Sequence, residues 1–206
     1  MHPMTNQPET ETQPMALVIE KGPLIINTIN GKPFTGIAVK YHSNLEKPFV
    51  LGKVKTRTSF KKGKKHGLSE YFQKNGQLEY RESFKNGEKH GLSEYFYKNG
   101  QLEYRESFKN GEKHGLWKWF YENGQLEFRG NFIDGIRHGF WQWYLENGQI
   151  KTNTYYKNGK EHGIWCQFHK NGKVKYIGFF KDGKKKITTD YCNSSGQHFL
   201  FDPNDA

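Results

Sequence analysis

From Phe60 to Lys186 the chain repeats one pattern of apolar and polar positions every 24 residues. Each period holds two alternating stretches. The first, seen in Leu116-Trp117-Lys118-Trp119-Phe120-Tyr121, is rich in aromatics that favour strands. The second runs from Leu126 to Phe132. It sets Leu126, Phe128 and Phe132 on one side and Glu127, Arg129 and Asn131 on the other. Turn residues separate the stretches, at Asn123-Gly124 and Asp134-Gly135. Asn-Gly predicts a tight hairpin turn, because both residues tolerate positive φ. A helical reading fails. Gly-rich turns recur roughly every 10 to 13 residues, and no segment sustains a 3.6-residue period.

The period has fixed markers. His-Gly recurs at His66, His90, His114, His138 and His162, and Asn-Gly at Asn75, Asn99, Asn123, Asn147 and Asn171. A third glycine series runs through Gly63, Gly87, Gly111, Gly135, Gly159 and Gly183. The units Gly67–Gly91 and Gly91–Gly115 differ only at Gln73 versus Tyr97, as a recent tandem duplication would leave them. A single hairpin cannot bury its ring-bearing face, so units must stack in line. The predicted fold is all-β, an elongated solenoid or meander of tandem 24-residue hairpins with atypical terminal caps. Each unit adds ~9.6 Å at the usual strand spacing. The expected divisions are a disordered leader over 1–15, a cap with a degenerate repeat over 16–60, five repeats over 61–186, and a C-terminal cap over 187–206. The leader lacks the basic and apolar regions of a secretory signal.

The motif Gly-x-x-His-Gly-x-Trp-x-Trp-x-Tyr-x-Asn-Gly, from Gly111 to Gly124, resembles a MORN repeat. The 24-residue length and the aromatic positions resemble the bacterial MORN variant, including the YwqK-like antitoxin family. The resemblance covers about Phe60 to Lys186. It implies the stacked-hairpin fold and a binding role without shared catalytic residues.

Composition sharpens this picture. Only 33% of the 206 residues are hydrophobic while 16% are aromatic, so the core must be thin and built of rings. A membrane helix needs roughly 18 consecutive apolar residues, and the longest run is Met15–Ile19. The net charge is +11, and residues 61–186 hold 25 Lys+Arg against 14 Asp+Glu. The lysines gather in the turns, as in Lys61-Lys62-Gly63-Lys64-Lys65. They either keep the sheet soluble or attract an acidic protein or anionic lipid. Nucleic acid is disfavoured, because Glu88, Glu112 and Glu161 interrupt the basic turns and no nucleic-acid-binding motif is present. Cys166 and Cys192 fall out of register with each other, so free thiols and a cytoplasmic location are expected.

Candidate chemistry is sparse. Successive histidines stand ~9.6 Å apart, too far to share a zinc ion bound at ~2.0–2.1 Å. Each is expected instead to fix a turn by hydrogen bonding, and no metal or cofactor is called for. Serine-hydrolase, P-loop and zincin motifs are missing, so no enzyme is expected. The aromatic positions admit two readings, a core ladder or a binding face. As partner-binding candidates the sequence offers Trp117, Trp119, Tyr121, Trp141, Trp143 and Trp165, with Lys89, Lys113 and Arg137 steering an acidic surface. The expected function is non-catalytic protein binding, and the resemblance adds an antitoxin or immunity role against a toxin. The alternatives are peripheral binding of anionic phospholipid and a structural scaffold, with a homodimer possible in either case.

Overall fold

A computed structural model describes the backbone of residues 18–21, 24–27, 32–42, 53–192 and 198–199, and the side chains of 32–42 and 53–186. The expected leader lies outside these residues. The described elements are all strands. They are β1 (Val18–Lys21), β2 (Leu24–Asn27), β3 (Gly36–Tyr41), β4 (Val54–Lys61), β5 (Lys64–Phe72), β6 (Leu78–Lys85), β7 (Glu88–Phe96), β8 (Leu102–Lys109) and β9 (Glu112–Lys113). Then follow β10 (Gly115–Phe120), β11 (Leu126–Ile133), β12 (Ile136–Tyr144), β13 (Ile150–Lys157), β14 (Lys160–Glu161), β15 (Gly163–Phe168), β16 (Val174–Lys181), β17 (Lys184–Cys192) and β18 (His198–Phe199). β1 and β2 form their own two-stranded sheet, and β3 to β18 form one open 16-stranded antiparallel meander. β17 runs through the boundary expected at 186/187.

Two kinds of turn alternate along the meander, and one corrects the sequence reading. In the Asn-Gly turn after β5 only Gly76 has positive φ. Gly76 N–H donates to Gln73 O, and Gln73 N–H donates to Gln77 O. Asn75 keeps an ordinary φ, and its Oδ1 accepts from Gln77 N–H at 2.9 Å. This is a three-residue loop closed by a left-handed glycine. The two-residue turns with positive φ at both positions lie at the other edge of the sheet. They include Asn86-Gly87, Asn110-Gly111, Asp134-Gly135 and Asn158-Gly159.

His-Gly marks a bulge inside a strand. The β6–β7 register shifts between Glu82 and Phe84, opposite His90-Gly91. Gly91 has φ of +96°, and a Cβ there would lie 3.3 Å from Ser83 Cβ. The histidine ties units together, as its sequence position suggested. Asn86 N–H donates to His66 Nδ1 at 3.4 Å, and Asn110 N–H donates to His90 Nδ1 at 3.3 Å. At the opposite edge Tyr97 and Tyr121 donate their hydroxyls to the carbonyls of Phe120 and Tyr144, at 2.7 and 2.8 Å. These two hairpin tips are thereby stitched to the next.

Alternation gives the sheet two faces. The ring face carries a cross-strand ladder of Tyr71, Tyr80, Tyr95, Tyr104, Trp119, Phe128 and Trp143. The four tyrosines stack with centroids 4.0, 5.0 and 4.3 Å apart. Beside the ladder, Trp117, Phe132, Trp141 and Tyr156 form the buried core. The opposite face carries a row that alternates in charge over the first units, Arg57–Glu70–Arg81–Glu94–Arg105.

Candidate binding surfaces

The ring face places the expected aromatic anchors unequally. Trp117 is 4% and Trp141 2% exposed, and both bond their indole N–H to backbone, Ser107 O at 3.0 Å and Asn131 O at 3.2 Å. The expectation that these two rings stand open to a partner is therefore corrected: they are core. Indoles fit there because the facing residue is small. A Cβ on Gly130 would lie 2.5 Å from the ring of Trp141. Trp119, Trp143 and Trp165 are half-buried, and so is Tyr121, whose hydroxyl serves the hairpin stitch. Burial pushes the Tyr121 hydroxyl pKa up, with Glu127 and Glu146 adding to the shift.

The three expected steering cations also turn toward the rings. Lys89 Nζ lies 2.7 Å from Glu82 Oε1 and 5.0 Å from the centre of the Phe108 ring. Lys113 Nζ sits 4.3 Å over Trp117 and 5.2 Å over Phe132. Arg137 lies 4.4 Å over Trp141 and 5.3 Å over Tyr156, and donates to the Tyr156 hydroxyl at 3.2 Å. Such contacts contribute about 0.5–1 kcal/mol each at partly exposed sites. These cations roof the core; Glu82 offsets the charge of Lys89, whereas Lys113 and Arg137 are exposed and keep theirs at the surface.

The opposite face bears an exposed apolar row. The residue after each His-Gly points there: Leu68, Leu92, Leu116, Phe140 and Ile164 are all exposed, Phe140 at 71%. The row has one unusual stretch. The positions flanking the two-residue turn are Lys85 and Glu88 in one unit, Lys109 and Glu112 in the next, and Lys157 and Lys160 after β13. After β11 they are Ile133 and Ile136, paired across the turn and exposed at 42% and 50%. Phe140 packs edge-on against Tyr155, with centroids 5.1 Å apart. Ile133, Ile136, Phe140 and Tyr155 thus make an apolar patch between turns that carry Lys109 on one side and Lys157 and Lys160 on the other. Sequence reasoning passed over it. The available signal was the departure of positions 133 and 136 from the Lys and Glu of their column.

Burial raises the thiol pKa of Cys166, which is free. Cys192 has no described side chain. Among the described residues no group of three His, Cys, Asp or Glu side chains could hold a metal ion.

The MORN repeat variant family matches the chain at residues 65–86, 89–110, 113–134, 137–160 and 161–182, together more than half of its length. No curated protein matches the chain.

Proposed function

Since the chain belongs to the MORN repeat variant family, whose repeats are binding modules, we propose that it is a non-catalytic protein-binding module that docks an acidic partner on the face opposite the rings. The observation that carries this reading is the exposure of Ile133, Ile136 and Phe140, the last packed on the half-buried Tyr155. A soluble sheet has no folding reason to place two isoleucines where its sister turns place Lys and Glu. Desolvating that patch supplies affinity. Its rim is net basic, with Lys109, Lys157 and Lys160 against Glu112 and Asp134, which favours a partner whose carboxylates border an apolar centre. The finer role we assign is that of an antitoxin or immunity protein acting in the cytoplasm, which neutralises a toxin by covering its surface. The half-buried Trp119, Trp143 and Trp165 remain available for a second contact on the ring face.

The test is affinity capture from native host lysate, washed at about 150 and then about 500 mM salt. One stoichiometric protein retained at high salt, whose toxicity is relieved by co-expression of this chain, is the expected result. Retention of anionic vesicles alone, lost at high salt, would replace the proposal with peripheral lipid binding. Recovery of a second copy alone would replace it with a scaffold.

A further inference from the structure

We propose that the ring face carries a separate site for an organic cation, a guanidinium or alkylammonium group, in a gap between Trp143 and Trp165. The site breaks three columns of the repeat at once. The ring column that reads Tyr80, Tyr104 and Phe128 becomes Thr152, and resumes at Tyr176. Its cross-strand neighbour, Tyr71, Tyr95, Trp119 and Trp143 in earlier units, becomes Gln167, which pairs with Thr152. The aromatic ladder therefore stops at Trp143. The third change is in charge. The column of cations over the rings reads Lys65, Lys89, Lys113 and Arg137, then Glu161, then Lys185.

The consequences are geometric. Lys113 and Arg137 each lie over the tryptophan of their own unit, Trp117 and Trp141. Glu161 cannot do this for Trp165, and among the described residues no cation lies over Trp165 or Phe180. The missing rings leave a cleft of about 280 Å³ lined by Trp143, Thr152, Thr154, Trp165, Lys151 and Glu161. Two indole walls with one carboxylate suit a cation that is apolar on its flanks. The rings attract its charge and the carboxylate receives its N–H groups or balances an alkylammonium. Lys151, which is exposed, also lines the cleft, and among the described residues Glu161 is the only carboxylate that does. Earlier units fill this place with a ring such as Phe128 and lay their own lysine or arginine over the neighbouring tryptophan, whereas this unit supplies neither. The inference goes beyond the partner-docking reading, since it concerns the other face and can fail independently.

The full-length chain, labelled with ¹⁵N, would be titrated with N-acetyl-arginine amide, tetramethylammonium and the neutral N-acetyl-citrulline amide, following the indole N–H signals. The expected result is saturable shifts at Trp143 and Trp165 with at least one of the two cations. Citrulline should give none, and Trp117 should stay unmoved. Glu161→Gln should weaken the response about tenfold, as expected for loss of a charged partner. Glu161→Lys should abolish it and raise Tm, because the new lysine occupies Trp165 as Lys113 occupies Trp117. A response to the arginine amide alone identifies a protein side chain as the ligand. A response to tetramethylammonium with retention on phosphatidylcholine vesicles identifies a lipid headgroup. The proposal is overturned if neither cation gives a saturable shift, if citrulline matches them, or if Glu161→Gln binds as well as the native chain.

Discussion

The first repeats and the later ones solve the same packing problem with opposite chemistry. Over β5–β8 the row beside the tyrosine ladder reads Ser69, Glu82, Ser93, Glu106. From β10 to β16 the same row reads Trp117, Gly130, Trp141, Thr154, Trp165, Gly178. Where one column is small the next is long, so cross-strand volume is conserved while polarity is not. Lysines adapt to each version. Lys89 pairs with the Glu82 carboxylate, whereas Lys113 lies on the Trp117 and Phe132 rings. In the tryptophan version Trp117 and Trp141 donate their indole N–H groups to the carbonyls of Ser107 and Asn131, and no described buried hydroxyl is stranded. In the serine version, Ser69 Oγ and Ser93 Oγ are fully buried and, among the described residues, have no hydrogen-bond partner. Burial also raises the pKa of Glu106 there, despite the pull of Lys89 and Lys113. The lesson is that a repeat fold tolerates a polar core unit where the rest of the array holds its backbone in register.

The largest expected effect is in the tryptophan region. Trp141→Ala should cost about 3–5 kcal/mol by cavity formation, read as a drop in denaturant midpoint. A smaller loss, about 1–3 kcal/mol, is expected for Gly130→Ala, because its Cβ would meet the indole of Trp141. An unchanged midpoint in that variant would break the volume-compensation argument. Next is Glu94→Gln in the early units. Burial opposes ionisation of Glu94, but hydrogen bonds from Arg81 and Arg105 outweigh it and hold the carboxyl below its ordinary range. Both arginines are over 40% exposed, so water screens the pair and a loss of about 1–2 kcal/mol is expected.

The pH dependence has a definite sign. The Glu94 contribution is full above its unfolded pKa of about 4.3 and is lost as pH falls through the lower folded value. Glu106 runs the other way: its contribution is full below about 4.3 and is lost as pH rises through the raised folded value. Melting curves from pH 3 to 7 should lose part of the acid-side fall in Glu94→Gln and gain stability at neutral pH in Glu106→Gln. The smallest effect has the opposite sign from the first. Ser93→Ala removes a stranded hydroxyl and should raise stability by about 1 kcal/mol.

Much of this was legible in the sequence. The 24-residue period gave the strand pairs, the meander and the role of histidine at the turns, because every unit repeats the same cue. The open face was not legible. Alternation sets apolar residues on both sides, Leu116 on one and Trp117 on the other, and the period alone does not say which side is buried. The tryptophans went inside because they are covered by rings across the strands, and Leu68, Leu92, Leu116, Ile164 and Phe140 were left in water. Both candidate sites lie where a column breaks its own rule, at Ile133 and Ile136 and at Thr152, Glu161 and Gln167. Reading units for their shared residues finds the fold, whereas reading columns for their exceptions finds the surfaces.

The most direct test restores the repeat's own residues to the patch. The triple variant Ile133→Lys, Ile136→Glu, Phe140→Leu copies the sister unit of Lys109, Glu112 and Leu116, so its fold and Tm should be preserved. Its affinity for the captured partner would be measured by calorimetry beside the native chain. The expected result is a loss of at least about a hundredfold, as for removal of a hot-spot cluster. Undiminished binding by a folded variant would contradict the assignment of this face as the docking surface.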